Sequence, residues 1–218
     1  MNAGVKGHMD QQLRKVRVAR QSVVSNTTLV AMKLIVGVSI GSVSIISEAL
    51  HSGVDLLAAI IALFSVKASS RPADGIPTYG HGKIESIPGT VEALLIGAAA
   101  VWIITVAARK IVHPEPIADL GWGVGVMAVS AVVNIVVSNK LFKVGCETES
   151  IALRADAWHL RTDVYASMGV MGSLAALWAT HMIFPAVDIG WLDPAAAIGV
   201  AILLIKEASD LMLRKRTI

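Results

Sequence analysis

Two eight-residue stretches of this chain share one pattern: an acid, alanine, any residue, histidine, three further residues and aspartate. They occupy residues 48–55 and 156–163, and each lies inside an apolar segment. In a helix, a histidine and an aspartate four residues apart lie one turn apart on the same face, so each stretch offers two metal ligands. Two such pairs can form one tetrahedral cation site. The four candidate ligands are His51, Asp55, His159 and Asp163.

The chemistry of these ligands favours a divalent metal ion. Two neutral imidazoles and two carboxylates supply four nitrogen or oxygen ligands, and their charge cancels that of a divalent cation. This set suits tetrahedral Zn²⁺, with Co²⁺, Cd²⁺ and Fe²⁺ as alternatives. Ionisable groups at membrane depth are costly and usually mark ion pathways or proton relays. The pattern therefore predicts a site through which a metal ion moves.

The composition is that of a membrane protein. Of 218 residues, 55% are hydrophobic and 16% are charged, and the mean hydropathy is +0.67. The single cysteine, Cys146, excludes a disulfide within the chain and a centre built from several thiolates. The net charge of +3 comes from basic residues at the ends of apolar stretches, which is not the pattern of a nucleic-acid-binding protein.

Six apolar stretches predict an all-α membrane protein with a bundle of six transmembrane helices. We expect a cytoplasmic N-terminal segment over residues 1–20 and a transport domain over 21–218. Only Gly41 and Ser42 separate the first two stretches, which predicts a tight helical hairpin. The stretches lie near residues 22–40, 43–66, 87–108, 119–141, 150–182 and 194–213.

The distribution of basic residues predicts the orientation. Lys and Arg precede the first stretch, lie between the second and third and around the fourth connection, and follow the sixth. The connections after the first and fifth stretches contain none. The positive-inside rule then places both termini in the cytoplasm. Arg109 and Lys110, at the outer end of the third stretch, are the exception.

This topology brings the two histidine–aspartate pairs to one depth. His51 and Asp55 would lie roughly 12 and 18 Å from the outer start of the second span. His159 and Asp163, on a span running the other way, would lie about 16 and 10 Å from the outer face of the hydrocarbon layer. The two pairs can form one site in the middle of the membrane only if they lie at the same depth, as this topology predicts.

Other polar residues in the spans have weaker indications of function. Glu48 and Asp156 each precede a candidate histidine by one turn, and either could orient an imidazole, line an entrance or simply be exposed at a helix end. Lys33 is expected to extend its amine to the membrane surface, and Asn134 to bond a neighbouring helix. Glu92 is expected near the inner face, in contact with water.

Several motifs resemble those of the cation diffusion facilitator family. Residues 79–85 read Y-G-H-G-K-I-E, similar to the family signature Y-G-H-G-K-x-E, and residues 153–163 are similar to its fifth-span motif. Asp193-Pro194 also resembles the family pattern. The resemblance implies a dimeric exporter in the inner (cytoplasmic) membrane that exchanges divalent metal for protons by alternating access, with the four candidate ligands as transport site. Histidine–aspartate pairs on both helices are similar to those of the zinc-transporting branches.

The chain departs from the family pattern in two places. Bacterial zinc exporters of the family carry a second metal site in the inner loop, made by an aspartate and two histidines. Asp74 and His81 match two of these positions, but Pro77 stands at the third, so only a residual site is expected. Family members usually continue into a cytoplasmic ferredoxin-like domain. The chain stops at Ile218, so we expect that domain to be absent and dimerisation to rest on membrane helices.

Two other classes of protein are the alternatives to a transporter. A membrane zinc hydrolase would need three protein ligands with an open water position, usually on a His-Glu-x-x-His helix, and the chain has no such motif. We therefore expect no enzymatic activity. A metal-binding sensor or assembly protein would share the four ligands, and only transport measurements separate it from an exporter.

Overall fold

The computed structural model describes residues 3–69, 81–184 and 189–214, with side chains over 11–57, 93–184, 189–206 and 208–209. This part of the chain forms six helices, which confirms the all-α class. They are α1 (Ala3–Ile40), α2 (Val43–Ser69), α3 (His81–Val112), α4 (Leu120–Glu147), α5 (Ile151–Ile183) and α6 (Leu192–Arg214).

Helix α1 includes most of the segment that the sequence separates as an N-terminal extension. It runs without a break from residue 3 to residue 40. Four helical segments of the described residues are long and apolar enough to cross a membrane. They are Gln11–Ile40, Ala93–Val112, Leu120–Glu147 and Ile151–Ile183.

The turn between α1 and α2 is as tight as the sequence predicts. Gly41 has φ 72°, a left-handed conformation that glycine adopts without steric cost. The amide of Ser42 then donates to the carbonyl of Gly37 (3.0 Å), which closes the end of α1 in a Schellman-type motif. The amide of Ala118, in the loop between α3 and α4, donates to the carbonyl of Ile40 (3.1 Å), so both connections meet at what we call the hairpin end of the bundle.

Asp193, at the start of α6, caps the N-terminus of α2 across the bundle. One of its carboxylate oxygens accepts from the Ser42 hydroxyl (2.7 Å) and the Ser44 amide (3.2 Å), and the other accepts from the Val43 amide (2.9 Å). Asp193 is fully buried. A helix N-terminus leaves amides without partners and favours negative charge, so this carboxylate supplies in one group what α2 lacks locally.

Lys110 completes this cap. It is one of the two basic residues that the positive-inside rule does not explain. Its ammonium donates to the Asp193 carboxylate (3.1 Å) and to the carbonyl of Gly41 (2.6 Å). The positive charge therefore balances a buried carboxylate at the hairpin end. Its position follows from this pairing and not from the positive-inside rule.

Helices α4 and α5 form a closely packed antiparallel pair. The Ser138 hydroxyl donates to the carbonyl of Ala157 (2.8 Å), and the hydroxyls of Ser130 and Ser167 lie 3.4 Å apart. Away from the hairpin end, an apolar cluster joins this pair to α1. Its buried members are Val18, Val137, Leu141, Val144, Leu153, Ala157 and Leu160.

The cap on α2 can be tested by Asp193→Asn. The substitution removes the charge that balances Lys110 and turns an acceptor into a donor facing backbone amides, so we expect a loss of about 2–4 kcal/mol in the free energy of unfolding. Unfolding in mixed micelles titrated with SDS measures it. Asp119→Asn is the matched control, since Asp119 precedes α4 without a side-chain cap bond. A similar loss in both variants would contradict the capping role.

Candidate metal site

Helices α2 and α5 bring the four candidate ligands together. Each helix carries its histidine and aspartate one turn apart, and the two helices run in opposite directions. Nε2 of His159 lies 3.3 Å from Oδ2 of Asp55, and Nε2 of His51 lies 3.9 Å from Oδ1 of Asp163. Within α2, Nδ1 of His51 lies 3.6 Å from Oδ2 of Asp55. Each pair therefore contacts the other across the helix interface.

The spacing of these atoms fits one small cation. Ligand atoms of His51, Asp55 and Asp163 all lie within 4.8 Å of one another, and His159 joins them through Asp55. Tetrahedral coordination with bonds of about 2.0–2.1 Å places ligand atoms about 3.4 Å apart. The measured separations require only small side-chain adjustments to reach that arrangement.

The carboxylates of Asp55 and Asp163 are buried and need a compensating charge. Neither oxygen of Asp163 nor Oδ2 of Asp55 has a hydrogen-bond donor among the described residues. A buried carboxylate without donors needs a cation or a proton. Exposure is uneven within the cluster: 7% for His51, 9% for Asp55, 1% for Asp163 and 34% for His159.

The two acids that precede the histidines have different environments. Glu48 is fully buried, which rules out exposure at a helix end, and its carboxylate binds the ammonium of Lys33 (2.8 Å) and the hydroxyl of Ser167. Asp156 is half-buried on α5, one turn before His159. Whether either acid orients an imidazole stays a prediction.

One expectation about polar residues was wrong. Lys33 does not reach the membrane surface: it is 1% exposed, because Glu48 compensates its charge inside the bundle. Asn134 is buried, and its carboxamide oxygen makes no hydrogen bond within the described part of the chain. The antiparallel register of α4 and α5, in which Ser130 faces Ser167, places Asn134 near the level of Asp163.

Ser167 is the residue of this region that the sequence reasoning missed. It lies four residues after Asp163 and so on the same face of α5. That spacing was the available signal, but a serine in a membrane helix usually bonds its own backbone. Asp74 and Pro77 of the inner loop lie outside the described residues. So do the side chains of His81 and Glu92.

A bundle of apolar helices that encloses two imidazoles and two carboxylates has the make-up of a membrane transport protein for divalent cations. Sequence comparison agrees with this class. The profile of the cation efflux transmembrane domain matches residues 19–215. The chain belongs to this family, the cation diffusion facilitators, and the family is one of transporters and not of enzymes.

Proteins with similar sequences are named as transporters or cation-efflux pumps. The uncharacterized transporter sll1263 of Synechocystis is 33% identical over 172 residues, which cover 79% of this chain and 53% of the relative. The cation-efflux pump FieF of Yersinia pestis is 32% identical over 174 residues (78% and 57%), and that of Salmonella paratyphi A is 29% identical over 184 residues (84% and 58%). The chain thus spans a little over half the length of these relatives.

Metal binding tests the cluster directly. We expect Asp55→Asn to weaken Zn²⁺ binding about 100-fold, because Asp55 contacts both histidines and loses its charge. Isothermal titration of the purified protein in detergent measures the affinity. Glu115→Gln, which neutralises an exposed loop carboxylate, serves as the control. Unchanged affinity in Asp55→Asn would remove Asp55 from the site.

Proposed function

We propose that this chain is the transport domain of a proton-coupled exporter of divalent metal ions, with Zn²⁺ as the substrate and alternating access as the mechanism. The observation that carries the proposal is the cluster of His51, Asp55, His159 and Asp163 between two antiparallel helices, buried except for His159. Membership in a cation efflux family supports it, as do relatives named cation-efflux pumps. Co²⁺, Cd²⁺ and Fe²⁺ are the alternative substrates.

The proposed exchange follows from the chemistry of the ligands. Metal binds to neutral imidazole and ionised carboxylate, so each ion that enters displaces protons from the same groups. Imidazole titrates near pH 6.5 when unperturbed, which lets protons and metal compete near neutral pH. In the proposed cycle the site opens to the cytoplasm, takes up the metal, opens to the other side and releases it as protons return.

The proposal includes orientation, assembly and domain boundaries. Residues 1–20 begin in the cytoplasm, residues 21–218 form the transport domain, and the C-terminus returns to the cytoplasm, in accordance with the distribution of Lys and Arg. The chain acts as a homodimer in the inner membrane. Asp74 and His81 are proposed as a residual loop site, and Glu48 and Asp156 as groups that support the ligands.

Transport by proteoliposomes is the test of this function. With Zn²⁺ on one side, we expect metal flux and an opposite proton flux, followed by a zinc indicator and a pH dye. Asp55→Ala and Asp163→Ala should each lower both fluxes about 100-fold, since each removes one of the two charges that hold the metal.

Glu115→Ala is the control and should transport at the wild-type rate. Wild-type flux in either aspartate variant would overturn the ligand assignment. Tight Zn²⁺ binding without flux in the wild-type protein would instead make the chain a sensor or assembly protein, and flux without proton movement would remove the exchange.

A further inference from the structure

Three buried polar side chains from three helices meet beside the metal site. Lys33 of α1 lies 2.8 Å from one carboxylate oxygen of Glu48 on α2, and the hydroxyl of Ser167 on α5 donates to the other. All three are essentially inaccessible to solvent. We call this group the polar clasp. It needs a reason, since a buried ion pair is a poor source of stability compared with apolar packing.

The polar clasp lies just on the hairpin-end side of the metal site. Glu48 precedes His51 by three residues on α2, and Ser167 follows Asp163 by four residues on the oppositely directed α5. At 1.5 Å per residue, both steps lead about 5 Å toward the hairpin end. The polar clasp therefore joins the two ligand-bearing helices directly beyond their ligands.

The Glu48–Ser167 hydrogen bond crosses between two helix pairs. On one side, Lys33 ties α1 to α2 through Glu48. On the other side, two contacts join α4 to α5. The Ser138 hydroxyl donates to the carbonyl of Ala157, and the Ser130 hydroxyl contacts that of Ser167.

Among the described residues, separation of α2 from α5 at the hairpin end would break the Glu48–Ser167 hydrogen bond. It would also part the apolar side chains of Ile45 and Leu174, which belong to one buried cluster. The bonds within each helix pair would stay intact.

Exposure of the site differs between its two ends. His159, the ligand nearest the start of α5, is one-third exposed, whereas the polar clasp is buried. The exposed ligand therefore lies on the side of the cluster away from the hairpin end, whereas the polar clasp on the hairpin side is inaccessible to solvent.

We propose that the polar clasp is the barrier between the metal site and the hairpin end, and that the Glu48–Ser167 hydrogen bond breaks each time the site opens there. Lys33 stays with Glu48 during this step, so a departing ion meets no uncompensated carboxylate that would retain it. Glu48, Ser167 and Lys33 are then positioning residues and not ligands. This inference rests on the proposed transport function.

Sided labelling of a cysteine at the site tests the barrier. In a Cys146→Ser background, Ser52→Cys places a thiol beside His51, and a membrane-impermeant thiol reagent is applied to one face of a vesicle at a time. Ser167→Ala should speed labelling from the hairpin-end face about tenfold or more, the effect of losing one hydrogen bond to a charged group. Labelling from the opposite face should not change.

Two single-cysteine proteins identify the faces. The native Cys146 is exposed in the last turn of α4, opposite the hairpin end. Glu115→Cys in the Cys146→Ser background marks the exposed loop at the hairpin end. Ser138→Ala is the matched control, because Ser138 is an equally buried serine whose bond stays within the α4–α5 pair. It should label at the reporter's baseline rate.

A second variant removes the clasp without leaving a buried charge. Lys33→Met combined with Glu48→Leu should speed hairpin-side labelling as Ser167→Ala does. The proposal fails if neither variant speeds labelling, or if Ser138→Ala or the opposite face shows the same increase. Wild-type flux with unchanged labelling rejects the barrier alone, whereas absence of flux in the wild type rejects the transport function.

Discussion

A carboxylate inside a hydrocarbon layer must be balanced by a cation or by several donors, and this requirement organises the bundle. The buried acids meet it in three ways. Asp193 is balanced by the N-terminus of α2 and by the ammonium of Lys110. Glu48 is balanced by the ammonium of Lys33 and accepts a hydrogen bond from the Ser167 hydroxyl. Asp55 and Asp163 lie against the imidazoles of His51 and His159, which become cations only on protonation. Charge is thus balanced permanently at two places and conditionally at the third.

The two ion pairs, Asp193–Lys110 and Glu48–Lys33, hold α2 in place, and α2 carries two of the metal ligands. Asp193 fixes the start of α2, and Glu48 anchors α2 to α1 and α5 about one turn further on. His51 and Asp55 follow within the next two turns. The ligands therefore lie just beyond two anchors on the same helix, so that their position depends on charges that do not contact them.

The sequence predicts the helices and the ligand pairs because both depend on local spacing. Apolar periodicity sets the helices, and four-residue spacing sets each histidine–aspartate pair. The partners of the remaining charges are different, since they depend on tertiary packing. Asp193 and the residues it caps lie about 150 positions apart in the chain, and no local pattern links them. The local pattern places Lys33 at the membrane surface for this reason, because a lone lysine in a span normally extends outward and its partner Glu48 is on another helix.

Permanent pairing of Glu48 also sets the charge that the metal site presents. Lys33 cancels the Glu48 carboxylate, so two aspartates remain to be balanced. One divalent ion balances them, and so do protons bound at the aspartates or their neighbouring imidazoles, whereas the empty, ionised site carries buried charge at high cost. In the proposed cycle the loaded and protonated forms are therefore the stable ones, and passage through the empty charged form is disfavoured. Without Lys33 a third carboxylate would remain unbalanced after a divalent ion had bound. In the proposed exchange of metal for protons, the charge balance of the site thus depends on Lys33, which is not one of the ligands.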